Sequence, residues 1–231
     1  MSRFYNTVFF DFDGTIADTR QASVIATQAA FEQKKLTIPT SEIILSYMGI
    51  PIEKSFEAMR TDTSRNIETD DIIACFREIY PSICDTTSYL YDGMSDLLAA
   101  LKKENFLLAV VTSKKSNVLA RNIANLGLSG IFDVIIGSDH VSNYKPHPEP
   151  LLLAKHKLSN FMEDDLIGLM IGDAVTDIQM GQAAHMDTCA VTWGAASCDT
   201  LSSVSPNFIA DDVQQLHSII WSNNAEVKPS I

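Results

Sequence analysis

The sequence predicts an α/β fold, a three-layer α/β/α, Rossmann-like parallel sheet with an inserted helical subdomain. Three observations point there. Short apolar runs alternate with amphipathic stretches along most of the chain, the rhythm of strand–helix–strand units. The runs are continuously hydrophobic, as expected of strands covered by helices on both faces. The stretch from Ile16 to Tyr91 breaks that rhythm with helical content alone and is far longer than an ordinary crossover. The expected division is a core of residues 1–15 and 92–231 with residues 16–91 inserted.

Five strands are expected in order: Val8–Phe10, Leu107–Val111, Val134–Ile136, Leu166–Ile171 and Thr188–Val191. Between them, Met94, Leu97, Leu98 and Leu101 follow the i, i+3, i+4, i+7 spacing of a buried helix face. Leu119, Ile123 and Leu126 mark a second helix, closed by Gly127 as a left-handed cap. Pro148 sits where a third would start, ahead of Leu151, Ala154 and Leu158. Inside the insertion, Ala22, Ile25 and Ala29 form one helical face, followed by helices over Ile43–Met48, Ile52–Met59 and Ile72–Ile79, with Gly49 and Pro51 as punctuation. The tail from Ser222 is mostly polar and is expected to be loosely ordered.

Composition narrows the function classes. Of 231 residues, 46% are hydrophobic and 20% charged, enough apolar side chain for a core. The formal net charge of -12 disfavours nucleic acid and anionic lipid as partners. A small phosphorylated ligand remains compatible, because a bound divalent cation inverts the local field. The longest apolar runs are about half a dozen residues, whereas a membrane helix needs about 20. Together with an N-terminus lacking signal-peptide character, this leads to the expectation of a soluble, cytoplasmic protein, a monomer or weak homo-oligomer. Cys75, Cys84, Cys189 and Cys198 show no zinc-type spacing and read as free thiols.

The chemistry concentrates where strands end. Asp11 and Asp13 follow the first strand, Thr112 the second and Asp173 the fourth, with Asp177 four residues later and Lys145 in the loop beyond the third. Ligands of open parallel sheets bind outside those carboxyl ends. Each residue alone has a plain structural explanation: an Asp-Gly turn, a strand-end hydroxyl, a loop lysine, a helix N-terminal acid. Their convergence is what carries information. Two carboxylates as close as Asp11 and Asp13 are costly without a cation, and Gly14 lets backbone approach a ligand. One acid can attack phosphorus while the other exchanges a proton with the leaving group.

The four segments Asp11-Phe12-Asp13-Gly14-Thr15, Val110-Val111-Thr112-Ser113, Tyr144-Lys145-Pro146-His147-Pro148 and Gly172-Asp173-Ala174-Val175-Thr176-Asp177 resemble, in order and separation, the motifs of the haloacid dehalogenase-like superfamily. The resemblance implies an α/β core with a helical cap, and a phosphatase acting on a small phosphorylated metabolite with Mg²⁺. It implies Asp11 as nucleophile, forming an aspartyl-phosphate, and Asp13 as general acid and then base. It further implies that Gly14, Thr112, Ser113 and Lys145 contact the phosphoryl group, Lys145 also holding Asp11. The metal set it implies is Asp11, the Asp13 main-chain carbonyl, Asp173 and Asp177. Presence of a carboxylate at Asp13 favours phosphate ester chemistry over dehalogenation. A β-phosphoglucomutase-like sugar-phosphate mutase and a non-catalytic phosphate binder are the alternatives.

The branch resembled most is that of phosphoglycolate phosphatases, through Tyr47-Met48-Gly49-Ile50-Pro51, which is either a substrate-facing cap loop or a turn between two helices. His185 stands where relatives have Gly and is expected to be forced into a left-handed conformation. Met170, Met180 and Met186 read as core fillers, Trp193 as a packing residue and His147 as a loop residue near the phosphate pocket.

Overall fold

The computed structural model describes residues 5–61, 67–161 and 165–222; the expected loose tail lies, beyond Ser222, outside the described residues. The chain enters through β1 (Thr7–Phe10) and β2 (Ala17–Asp18), then passes into four helices: α1 (Arg20–Gln33), α2 (Ser41–Ser46), α3 (Ile52–Met59) and α4 (Thr69–Thr87). It returns through β3 (Tyr89–Leu90), α5 (Met94–Lys103), β4 (Leu107–Val111), α6 (Ser116–Asn125), β5 (Val134–Ile136) and α7 (Glu149–Ser159). The remaining elements are β6 (Gly168–Gly172), α8 (Val175–Ala183), β7 (Asp187–Val191), α9 (Cys198–Ser202), β8 (Phe208–Ala210) and α10 (Val213–Ser222).

Six strands form one parallel sheet in the order β5-β4-β1-β6-β7-β8. The chain builds outward from β1 through β4 and β5, then crosses back to place β6, β7 and β8 on the other side. The reversal falls around β1, so the ends of β4, β1 and β6 flank the switch-point crevice where open α/β sheets take ligands. Period-two alternation sends Val8 and Phe10 to one face, with Met94, Leu98, Leu101, Leu216 and Ile220. Phe9 goes to the other face, among Leu151, Ala154, Leu158, Met170 and Met180. Both faces are covered, which is why the strands read as unbroken apolar runs.

The sheet contains one strand more than expected. Phe208–Ala210 is only three residues long, set between Pro206-Asn207 and Asp211-Asp212, and so gives little periodic signal. The expected α5 face is buried as predicted, and Gly127 takes φ 74°. His185 does adopt the left-handed conformation, at φ 55°. Met170 and Met180 are fully buried and Met186 nearly so.

The helices α1 to α4 surround an apolar cluster of their own, including Ala22, Phe31, Ile44, Phe56, Ile73 and Phe76. The antiparallel pair β2–β3 closes the two passages between this cap and the sheet. Three expectations here are corrected. The inward face of α1 is Ala22, Ala26 and Ala30; Ile25 is exposed and Ala29 half-buried. Both stripes are apolar in sequence, and the small-residue stripe is the one that lets α4 approach closely. The second helix runs Ser41–Ser46 because Thr40 Oγ1 accepts from the Ile43 N–H, starting it early. The fourth extends to Thr69–Thr87, carrying Pro81 inside.

Phe56 lies at the cap's centre, 5.7 Å from the Phe31 ring and 5.2 Å from the Phe76 ring. Phe56→Ala is expected to destabilise the protein by about 3–5 kcal/mol through the cavity left behind. Urea denaturation checks this, and a loss near zero would show that the cap core repacks.

Candidate active site

The parallel sheet brings the strand-end residues to one place. Asp11 leaves β1 with its N–H bonded to the Ile171 carbonyl at 2.9 Å, so its position is locked to β6. Asp173 follows β6 directly, and Asp177 lies in the first turn of α8, where its Oδ2 also accepts from the Ala174 N–H at 3.1 Å. Asp177 is therefore both the helix-end acid and a site residue. Oxygens of Asp11, Asp173 and Asp177 all lie within 4.8 Å of one another. Lys145 Nζ donates to Asp11 Oδ1 and to Asp177 Oδ1, each at 2.6 Å.

Asp173 is held from the other side. The Thr15 hydroxyl donates to its Oδ1 at 3.0 Å and the Ala195 N–H to its Oδ2 at 2.8 Å. Gly14 and Gly194 make that room: a Cβ on either would sit 2.2 Å from the Asp173 carboxylate, and Gly14 has φ 83° besides.

Burial dominates the electrostatics. It raises Asp11 well above the ordinary carboxylate range, with Lys145 opposing and Asp177, Asp173 and Asp13 adding. Burial, with help from Asp177, pushes Asp173 up to about 7. Burial alone would depress Lys145, but Asp11 and Asp177 more than offset it and hold the ammonium charged. One lysine does not balance three buried acids. An all-oxygen donor set carrying excess negative charge fits a hard divalent cation such as Mg²⁺.

Asp13 is turned elsewhere. Its Oδ1 accepts from the Thr19 hydroxyl at 2.5 Å and from Lys114 Nζ at 2.8 Å. The metal contact expected of Asp13 concerns its main-chain carbonyl and not this carboxylate. Thr112 follows β4 directly, is buried, and accepts through its Oγ1 from the Lys114 N–H at 3.2 Å. Ser113 spans to the cap, its Oγ donating to the Gly49 carbonyl at 2.7 Å. Between cap and sheet lies a cleft of about 510 Å³, lined by Asp11, Asp13, Thr112 and Ser113 from below and by Tyr47, Met48, Gly49 and Ile50 from above. The Tyr47–Pro51 segment is the turn between α2 and α3, and its residues Tyr47 to Ile50 line the cleft. His147 is an exposed loop residue whose Nδ1 accepts from the Glu149 N–H. Trp193 packs 6.0 Å from the Tyr91 ring and donates through Nε1 to the Thr15 carbonyl.

Sequence reasoning missed Lys114, Tyr80 and Asn122. Lys114 Nζ also donates to the Tyr80 hydroxyl at 2.8 Å and to Asn122 Oδ1 at 3.0 Å. Burial opposes its charge, but Asp13 and the groups around it hold its pKa above that of a free lysine. Its place two residues after Thr112 was the available signal; Tyr80, on a cap helix, offered none.

Fold and site together define a Rossmann-like α/β protein with an acid-rich pocket beneath a helical cap. Residues 8–191 match the family described as haloacid dehalogenase-like hydrolase, and the chain belongs to that family. It is 32% identical to a protein named pyrophosphatase PpaX from Bacillus pumilus, over 94% of this chain and 97% of the relative. It is 30% identical to one named "Probable phosphatase IndB" from Dickeya dadantii, over 90% of each. A solved structure from Haemophilus somnus, titled a "predicted phosphoglycolate phosphatase", superposes with a TM-score of 0.83 at 21% identity, over 94% of this chain and 98% of that one; at that identity the likeness speaks for the fold.

Proposed function

We propose that the protein is a Mg²⁺-dependent phosphatase that hydrolyses a small phosphate monoester through an aspartyl-phosphate on Asp11. The observation that carries this reading is the meeting of Asp11, Asp173, Asp177 and Lys145 in one buried cluster, beside an acid, Asp13, that points separately into the cleft. Asp11, Asp173 and Asp177 would hold the metal with the Asp13 carbonyl, and the ion would offset charge on the phosphoryl oxygens.

The chain's own groups divide the rest. Lys145 fixes Asp11 through Oδ1 and adds positive charge where negative charge gathers in the transition state. A carboxylate oxygen of Asp11 attacks phosphorus as the bond to the ester oxygen breaks. Asp13 gives its proton to that departing oxygen, then takes one from the water that cleaves the aspartyl-phosphate and frees inorganic phosphate. Thr112 and Ser113, which line the cleft beside Asp11, would hold the phosphoryl group. The Gly14 N–H expected to join them is instead bonded to the Ala17 carbonyl at 2.8 Å, and Gly14 serves by leaving room for the Asp173 carboxylate. The cap loop at Tyr47–Pro51 closes the cleft from above and excludes bulk water.

Phosphate release from a panel of metabolite phosphates, with pyrophosphate included, tests the reading. Treatment with EDTA is expected to abolish release and added Mg²⁺ to restore it. Full turnover in EDTA would remove the metal from the scheme. Preferential cleavage of pyrophosphate would overturn the monoester assignment, and isomerised sugar phosphate without free phosphate would establish a mutase.

A further inference from the structure

We propose that Lys114 is the positioning residue for Asp13, and that Tyr80 of the cap and Asn122 of α6 hold it in that role. The inference rests on the phosphatase reading, in which Asp13 transfers the proton.

An ammonium group has three N–H donors. Three acceptors surround Lys114 Nζ, one for each donor: Asp13 Oδ1, the Tyr80 hydroxyl and Asn122 Oδ1. The side chain is 11% exposed, and its Nζ lies 5.0 Å from the Tyr80 ring centre and 5.7 Å from that of Phe12. A lysine so committed is a fixed point and does not follow a moving partner. Its partners are fixed in turn. Asn122 Nδ2 donates to Cys84 Sγ at 3.0 Å, and Cys84, one turn after Tyr80 on α4, lies 3.4 Å from the Tyr80 hydroxyl. The chain of contacts therefore runs from the cap helix and α6 to one oxygen of one carboxylate.

The consequence concerns orientation. Lys114 and Thr19 both engage Oδ1 of Asp13, and among the described residues Oδ2 has no hydrogen-bond partner. Pinning one oxygen leaves the other to carry the transferred proton at a set angle toward the cleft. General acid catalysis depends on that geometry, since the donor must lie within hydrogen-bond reach of the leaving oxygen. Because Tyr80 belongs to α4, the acid is in position only when the cap is seated.

The test compares two esters through kcat/KM, which covers steps up to departure of the alcohol. With 2-phenylethyl phosphate the alkoxide needs a proton to leave; with p-nitrophenyl phosphate it does not. Lys114→Met is expected to lower kcat/KM for the alkyl ester about 100-fold and for the nitrophenyl ester by no more than about threefold. Tyr80→Phe, which keeps the ring, is expected to show the same selectivity at about tenfold. It decides the matter if Lys114→Met does not fold. Equal losses on both esters, or a raised KM with unchanged kcat, would overturn the assignment and make Lys114 a structural or substrate-binding residue. Wild-type protein that turns over neither ester, nor any of the metabolite panel, would instead overturn the phosphatase reading beneath it.

Discussion

Asp11→Asn is expected to cut turnover by about 10⁴-fold or more while leaving the metal-free protein as stable as wild type, or more so. The activity loss follows from the amide, which cannot attack phosphorus as a carboxylate does. The stability follows from charge. Burial and the neighbouring acids oppose ionisation of Asp11, so the wild-type site holds like charges together at a cost. Asparagine has the same shape and no charge, and Lys145 keeps Asp177 as its ion-pair partner at 2.6 Å. Phosphate release and thermal melting in EDTA check both halves. Wild-type activity would end the nucleophile assignment; a large drop in melting temperature would show that Asp11 is chiefly a structural partner of Lys145.

Lys145→Met has the opposite expected effect on the fold. The lysine side chain is 2% exposed and pairs with two acids that are themselves buried. Removing it strands both carboxylates without a cation, the situation that costs about 3–5 kcal/mol when a buried pair is broken. Turnover should fall as well, by about 100- to 1000-fold, with the loss of a charge aimed at the phosphoryl group. Urea denaturation with and without Mg²⁺ separates the effects, because a cation held by the three acids restores part of the stability through binding. Equal stability of variant and wild type in EDTA would mean that Asp11 and Asp177 are not both ionised in the folded protein.

These two variants differ in sign because the site carries more acids than bases, and that imbalance was partly readable in advance. Asp11, Thr112 and Asp173 follow strands that announce themselves by uninterrupted apolar runs, and parallel strands must end on the same side of a sheet. Their convergence needed no coordinates. The edge strand Phe208–Ala210 escaped notice because three residues cannot establish a period. The α1 face was misplaced because Ala22, Ala26 and Ala30 compete with Ile25 and Ala29 on equal terms until a partner helix is present.

The amino-acid sequence by itself determined five of the six strands of the parallel sheet, the helical character of the insertion and the residues that follow the strand ends, since local periodicity and chain direction are properties of neighbouring residues. Only the tertiary structure decided that Lys145 bridges two acids, that Asp13 turns from them toward Lys114, and that Tyr80 reaches down from the cap. Those contacts join groups 32 to 134 residues apart. Which oxygen faces which ammonium depends on how the cap and core pack, and no periodicity along the chain encodes it.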